Sequence, residues 1–331
     1  MNTERNSYDG RIFLYGEIHN SEIIKTKELE LWNDYYHNEG MRHLFIEFPN
    51  YMAAFLNVWM KSDSDDMLNA VYDGWGDTLA GVSSEKDLFR RIKAECPETV
   101  FHGTDIGHRY NPTGIRYLLY LEENGMEDSD EYSAACEAIA QGVRAYGLTG
   151  EMDDLYRENK MAENFIRAFE KLNWESVMGI YGAVHTQLDG TALTSDSHPC
   201  MANQLRARYG ERVRSEDLSR LALLDEPLRT ETLIVNGKEY EASYFGEQDL
   251  SSYTKEVKKR EFWRLENAYG DFAENQKPGG VLPYNNYPMP IEKGQVFVVD
   301  YTQSDDAVMR VYFRSDGNEF NGKPTTEAFF I

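Results

Sequence analysis

Four short segments place acids and histidines where apolar runs stop: Gly16-Glu17-Ile18-His19, Glu47-Phe48-Pro49, Gly103-Thr104-Asp105 with His108 just beyond, and Gly182-Ala183-Val184-His185. Each preceding run reads as a strand. In an open parallel sheet, ligands bind outside the carboxyl ends of the strands, so these residues would share one edge. An imidazole titrates near neutrality and can serve as a general base or, when neutral, as a metal ligand. Glu17, His19, Glu47 and His185 are therefore the catalytic candidates, a carboxylate orienting a histidine that activates water. Two histidines and a carboxylate also match the donor set of many hydrolytic metal centres. His19, Glu47 and His185 are accordingly candidate ligands of a divalent metal, the only cofactor the residues suggest. A glycine three positions before each histidine lets the backbone turn sharply or approach a ligand closely.

A second group would line the pocket. Asp105 and His108 lie at and beyond the third strand end. Arg157, Met161, Asn164 and Ala168 follow steps of four, three and four, which puts them on one helix face. From there Arg157 could hold a substrate carboxylate or pair with Glu17, Glu47 or Asp105. A salt bridge to Asp153 or Asp154 one turn earlier is the competing reading. Asn164 offers a donor and an acceptor, and Met161 is expected to pack. His102 is expected in the core, His37 and His43 at the opposite edge, and His198 in a polar loop that would act as a lid. The sequence has no G-x-S-x-G elbow and no Walker or Rossmann glycine pattern.

The elements that must position these residues alternate. Strands are expected at Ile12–Tyr15, His43–Phe48, Thr99–His102 and Val177–Val184. Helices are expected at Ile23–His37, Tyr51–Met60, Glu85–Glu95, Ile115–Glu123, Glu131–Tyr146 and Asp153–Leu172. The pattern predicts an α/β fold, a mostly parallel central sheet flanked by helices, with a helical insertion between the third and fourth strands. Residues 1–225 would form this domain. Residues 226–331 would form a smaller β-rich module, a cap or packing extension. It holds a hairpin around Asn236-Gly237, a helix over Lys255–Ala268, and strands at Gln295–Tyr301 and Val308–Arg314.

Composition bounds the partners. The 331 residues carry 34 Lys+Arg against 57 Asp+Glu, a formal net charge of −23, which argues against a nucleic-acid partner. No window approaches the ~20 apolar residues of a membrane helix. Three widely spaced cysteines, Cys96, Cys136 and Cys200, suit reduced thiols. A cytoplasmic protein acting on a small molecule is the expectation; the sequence is silent on oligomeric state.

The strand-end motifs Gly16-Glu17-Ile18-His19, Ile46-Glu47-Phe48-Pro49 and Gly182-Ala183-Val184-His185 resemble those of the erythromycin esterase-like, ChaN-like and TIKI/TraB superfamily. Arg157-Glu158-Asn159-Lys160-Met161-Ala162-Glu163-Asn164 is similar to the esterase branch's helix motif, with Glu158 where an Asp is usual. Pro199–Tyr209 resembles the helix after that branch's second histidine strand. The resemblance spans roughly residues 10–215. It implies an α/β fold with a cleft at the strand ends. In the esterase branch it implies a His/Glu site that activates water against an ester, notably a macrolide lactone. In the TIKI branch it implies a metal-dependent protease, and in the ChaN branch an exported or lipid-anchored haem-binding protein. The expected function is hydrolysis of an ester, lactone or related acyl bond. The alternative is a non-catalytic ligand- or haem-binding protein.

Overall fold

Short β-branched and aromatic runs bounded by polar turns fold into the strands that carry the site. The computed structural model describes residues 10–331 apart from 20, 73–82, 109, 148–151, 190–197, 251–255, 280–282 and 321. The chain forms two units, Met1–Leu221 and Ala222–Ile331.

In the first unit, β1 (Ile12–Glu17), β2 (His43–Pro49), β3 (Val100–Asp105), β4 (Val177–Gly182) and β5 (Val213–Asp217) form a parallel sheet in the order β3-β2-β4-β1-β5. The expected strands are present, and all four catalytic candidates sit at the ends of the three middle ones. Two details differ. The fourth strand stops at Gly182, where the chain turns and the His185 amide bonds back to the Gly182 carbonyl at 2.9 Å. The edge strand β5 was not anticipated, because Val-Arg-Ser-Glu-Asp has one buried residue and no apolar alternation.

Flanking helices are α1 (Glu22–Asn38), α2 (Asn50–Met60), α3 (Asp66–Tyr72), α4 (Ser83–Glu95), α5 (Ile115–Glu123), α6 (Asp130–Tyr146), α7 (Asp154–Glu170) and α8 (Met201–Tyr209). The helical insertion between β3 and β4 is α5–α7. Asp153 caps α7, its side chain accepting from the Tyr156 amide at 3.0 Å. The buried stripe of α7 runs Glu158, Met161, Ala162, Phe165, Phe169, the spacing of one helix face. Its apolar members pack with Ile12, Leu14, Phe45 and Tyr181 of the sheet. Burial on the order of 1.5–3 kcal/mol per large apolar side chain anchors the helix. Glu158, on the same stripe, is thereby carried to the strand ends.

The second unit is an antiparallel sheet in the order β13-β10-β9-β8-β7-β6, with a small β11-β12 pair. Its strands are β6 (Arg229–Val235), β7 (Lys238–Asp249), β8 (Val257–Leu265), β9 (Val296–Gln303), β10 (Val308–Arg314), β11 (Glu319–Phe320), β12 (Lys323–Pro324) and β13 (Glu327–Phe329), with a short helix α9 (Tyr269–Phe272). Asn236 and Gly237 take φ of 53° and 80° in the β6–β7 turn, the left-handed pair a tight hairpin needs. The helix expected over Lys255–Ala268 is instead β8. The strand lies between β7 and β9, with Phe262 in one apolar cluster and Trp263 and Leu265 in the other. Burial on both faces erases the alternation that marks a half-exposed strand.

Candidate active site

Three middle strands end together. Glu17 ends β1, Glu47 lies near the end of β2, and β4 ends at Gly182, three residues before His185. The β2–β3 register shifts between Ile46 and Pro49, which takes Glu47 out of the regular ladder. Such irregularities re-aim side chains beside sites.

Each histidine is held by a buried carboxylate through the same ring atom. His19 Nδ1 lies 2.7 Å from Glu17 Oε1, and His185 Nδ1 is hydrogen-bonded to Glu158 Oε1. When Nδ1 donates to a carboxylate, Nε2 is the atom left for chemistry; this holds for His19, whereas the Nε2 of His185 faces Glu47. The two rings converge on Gly182. A β-carbon there would sit 3.3 Å from Glu47 Oε2, 3.6 Å from His185 Cδ2 and 3.8 Å from His19 Nε2. The other motif glycine has a packing reason: a β-carbon on Gly16 would lie 2.4 Å from Thr186 Oγ1. Glu47 also accepts from the Gly182 amide at 2.5 Å and faces His185 Nε2 at 3.3 Å.

The cations among these acids are protein groups. Arg157 NH2 donates to Glu47 Oε1 at 2.6 Å and to Asp105 Oδ2 at 2.7 Å, with its Nε 3.1 Å from Asp105 Oδ1. This is the pairing with Glu47 and Asp105, not an intrahelical bridge or a free substrate clamp. Lys25 binds the second oxygen of Glu17. With both histidines protonated, four cations (Lys25, Arg157, His19, His185) balance four acids (Glu17, Glu47, Asp105, Glu158).

The electrostatics follow from this pairing. Burial disfavours charge on His19, but the Glu17 hydrogen bond and the Glu17 and Glu47 charges outweigh it and move the pKa up to about 9. Burial likewise opposes charge on His185, and Glu47, with the Glu158 hydrogen bond, raises it to about 9 against Arg157. The His19 side chain is 44% exposed, so solvent screens part of its shift, whereas His185 is buried. Glu17 and Glu47 are held well below the usual carboxylate range: burial acts upward, and Lys25 on Glu17 and His185 on Glu47 overcome it. On α4, burial pushes the Glu85 carboxyl up to about 7, with Lys25 opposing.

His19, Glu47 and His185 are the expected metal ligands. Among the described residues no group of three or more His, Cys, Asp or Glu side chains could hold a metal ion. Glu47 is the engaged member of the set: both its oxygens accept protein hydrogen bonds, one from the Arg157 guanidinium and one from the Gly182 amide.

The four expected substrate contacts, Asp105, His108, Arg157 and Asn164, are engaged with other side chains and backbone groups. Asp105 is 1% exposed and accepts from Arg157 and from the Ile106 amide, and His108 Nε2 lies 2.8 Å from its Oδ2. The other ring nitrogen of His108 meets the Tyr146 hydroxyl. Asn164 donates to the Thr104 carbonyl and to Gln141 Oε1, and its own oxygen accepts from Gln141 and Arg167. With Asp105 and Gln141 it lines a crevice of about 220 Å³ that contains neither His19 nor His185. Polar groups satisfied this way position the site from behind.

Other histidines fall as follows. His43 Nδ1 lies 2.9 Å from His102 Nε2, away from the site, and burial holds His102 down to about 3. His198, placed by its neighbours in a lid, is 6% exposed; residues 190–197 before it lie outside the described residues. Two participants were missed. Glu158 binds His185 through Oε1 and the Met201 amide, at the start of α8, through Oε2 at 2.6 Å; its only sequence signal was the helix motif. Lys25 had no signal beyond its place on α1. Among the described residues, no helix is long and apolar enough to cross a membrane.

The fold and site define an α/β protein with a histidine–carboxylate cluster at the ends of parallel strands. No family model and no curated protein matches the chain. A mutant of the erythromycin esterase EreC in its open conformation matches at a TM-score of 0.50 with 12% identity, over 78% of this chain and 83% of that one. A protein from Bacillus cereus gives 0.46 and 15% over 98% and 86%. ChaN of Campylobacter jejuni, described with cofacially bound haem, gives 0.37 and 9% over 64% and 82%. The chain thus shares the erythromycin esterase-like fold that its motifs pointed to.

Proposed function

We propose that the protein is a hydrolase acting on an ester, lactone or related acyl bond of a small molecule. The observation that carries this reading is the pair of histidines, each held at Nδ1 by a buried acid and both directed to the space beside Gly182. The more exposed ring, His19, takes a proton from water at Nε2 as the oxygen attacks the acyl carbon. His185, buried and kept charged by Glu47 and Glu158, stabilises the tetrahedral oxyanion. When the carbon–oxygen bond breaks, His19 returns its proton to the departing alkoxide. Arg157 fixes Glu47 and Asp105.

The reading is tested by assaying the purified chain on a panel of chromogenic esters and macrolide lactones, beside H19Q and H185Q variants. Turnover lost in both variants supports it. Turnover absent from the native protein across the panel, or indifferent to both substitutions, overturns it.

A further inference from the structure

Behind Glu17 lies an acid that the site does not explain. Glu28, on the second turn of α1, is 0% exposed, and its Oε2 lies 3.1 Å from the Lys25 ammonium. Neither of its oxygens has a directed hydrogen bond. Lys25 is itself buried and binds Oε2 of Glu17, whose Oε1 holds His19. Two buried acids therefore share one ammonium. An apolar side chain would fill the Glu28 position without the desolvation that a buried carboxyl incurs, so the acid calls for a role.

The geometry points to Glu28 as a positioning residue for the first histidine: it holds Lys25, Lys25 holds Glu17, and Glu17 holds the ring nitrogen of His19. Lys25 and Glu28 lie three apart on one face of α1, and α1 starts directly after the histidine motif, with Ser21 accepting from the Ile24 amide. Without Glu28 the ammonium has one anchor and is free to swing, taking the Glu17 carboxylate with it. Burial pushes the Glu28 carboxyl well above the ordinary range, with Lys25 opposing and Glu17 adding to the rise. A neutral side chain of the same shape at position 28 leaves Lys25 and Glu17 as a balanced pair. The inference rests on the hydrolase reading for its catalytic consequence, but not for its structural one.

The test uses the full chain and follows the hydrogen-bonded Nδ1 proton of His19, a downfield proton resonance assigned by its disappearance in H19Q. The resonance should persist in E28Q, a neutral side chain of the same shape, and be lost or broadened in E28M and K25M. In ester turnover, E28M should lower kcat about tenfold with KM within about twofold, and E28Q should restore it. A folded E28M protein with the His19 resonance intact overturns the proposal, as does an E28Q protein that behaves like E28M. Should E28M fail to fold, K25M decides in its place, since a folded K25M chain that keeps the resonance breaks the same relay. If the native chain turns over no ester, the hydrolase reading fails, while the resonance still reads the role of Glu28.

Discussion

Arg157 and Glu47 meet at 2.6 Å across the gap between α7 and the end of β2, and the same guanidinium nitrogen reaches Asp105 on β3 at 2.7 Å. One planar cation thus ties a helix to two strand ends, and the strands cannot separate without breaking it. The pairs are enclosed, with Arg157 14%, Glu47 11% and Asp105 1% exposed at the side chain. Removing one partner strands two buried carboxylates. We expect R157M to cost about 3–5 kcal/mol. R157K, which keeps the charge but not the fork, should fall between R157M and the native protein. Urea unfolding of the three proteins checks the order, and an R157M protein as stable as the native one contradicts it.

A chelator separates the protein's own cations from a bound metal. Because both oxygens of Glu47 are occupied, by Arg157 and by the Gly182 amide, EDTA dialysis should leave turnover and melting temperature unchanged. The H19Q and H185Q variants should each lose about 10²–10⁴-fold in turnover. Activity that vanishes on dialysis and returns with one divalent ion per chain would show that the pairs open to admit a metal.

The strand ends were legible because each couples a short apolar run to a polar stop, and in a parallel sheet that stop has one place to go. Glu17, Glu47, Asp105 and the two Gly-x-x-His motifs all fell on that edge. Their roles were less legible. Asp105, His108, Arg157 and Asn164 are the right types for ligand contacts, yet whether a polar side chain faces a ligand or another side chain depends on tertiary distances that spacing does not encode. Lys25 and Glu28 show the same limit from the other side. A Lys and a Glu three apart on a helix read as a surface pair, and only the packing of α1 places them in the interior. In the second unit, β8 failed for a different reason: Lys258, Lys259, Arg260 and Glu261 carry helix propensity, and sheet pairing on both sides overrode it.

The pH dependence follows from the raised histidines. A base with a raised pKa is protonated at neutrality, so turnover that needs neutral His19 and protonated His185 should rise from pH 7, peak near 9 and fall above it as His185 loses its proton. Stability moves the other way. His185 has a folded pKa above its ordinary 6.5, so its contribution is complete below 6.5 and lost as pH rises through about 9. The stability difference between the native protein and H185Q should therefore be largest at pH 6 and shrink by pH 10. Glu17 and Glu47 act in the acid range: their folded pKa values lie below 4.5, so their contribution is present above 4.5 and lost as pH falls. A turnover profile flat from pH 7 to 9, or an H185Q difference that grows with pH, would contradict the assigned charge states.

Gly182 separates folding from function. Its backbone is an ordinary strand end outside the left-handed region, so alanine is conformationally acceptable and should change stability by less than about 1 kcal/mol. The added methyl would nonetheless stand 3.3 Å from Glu47 Oε2, between the two histidines. Glu47 is pinned by Arg157 and has little room to retreat, so the strain passes to the rings. Displacements near 1 Å can cost about 10²-fold in rate, and G182A should lose at least about tenfold in kcat while melting close to the native temperature. Gly179, three residues earlier on the same strand, provides the contrast: a β-carbon there would lie 2.9 Å from Leu14 Cδ2 and Tyr181 Cε2 in the core. G179A should therefore lower the melting temperature, whereas G182A should lower the rate. Both effects appearing in the same variant would mean that the space beside Gly182 is packing and not the reaction site.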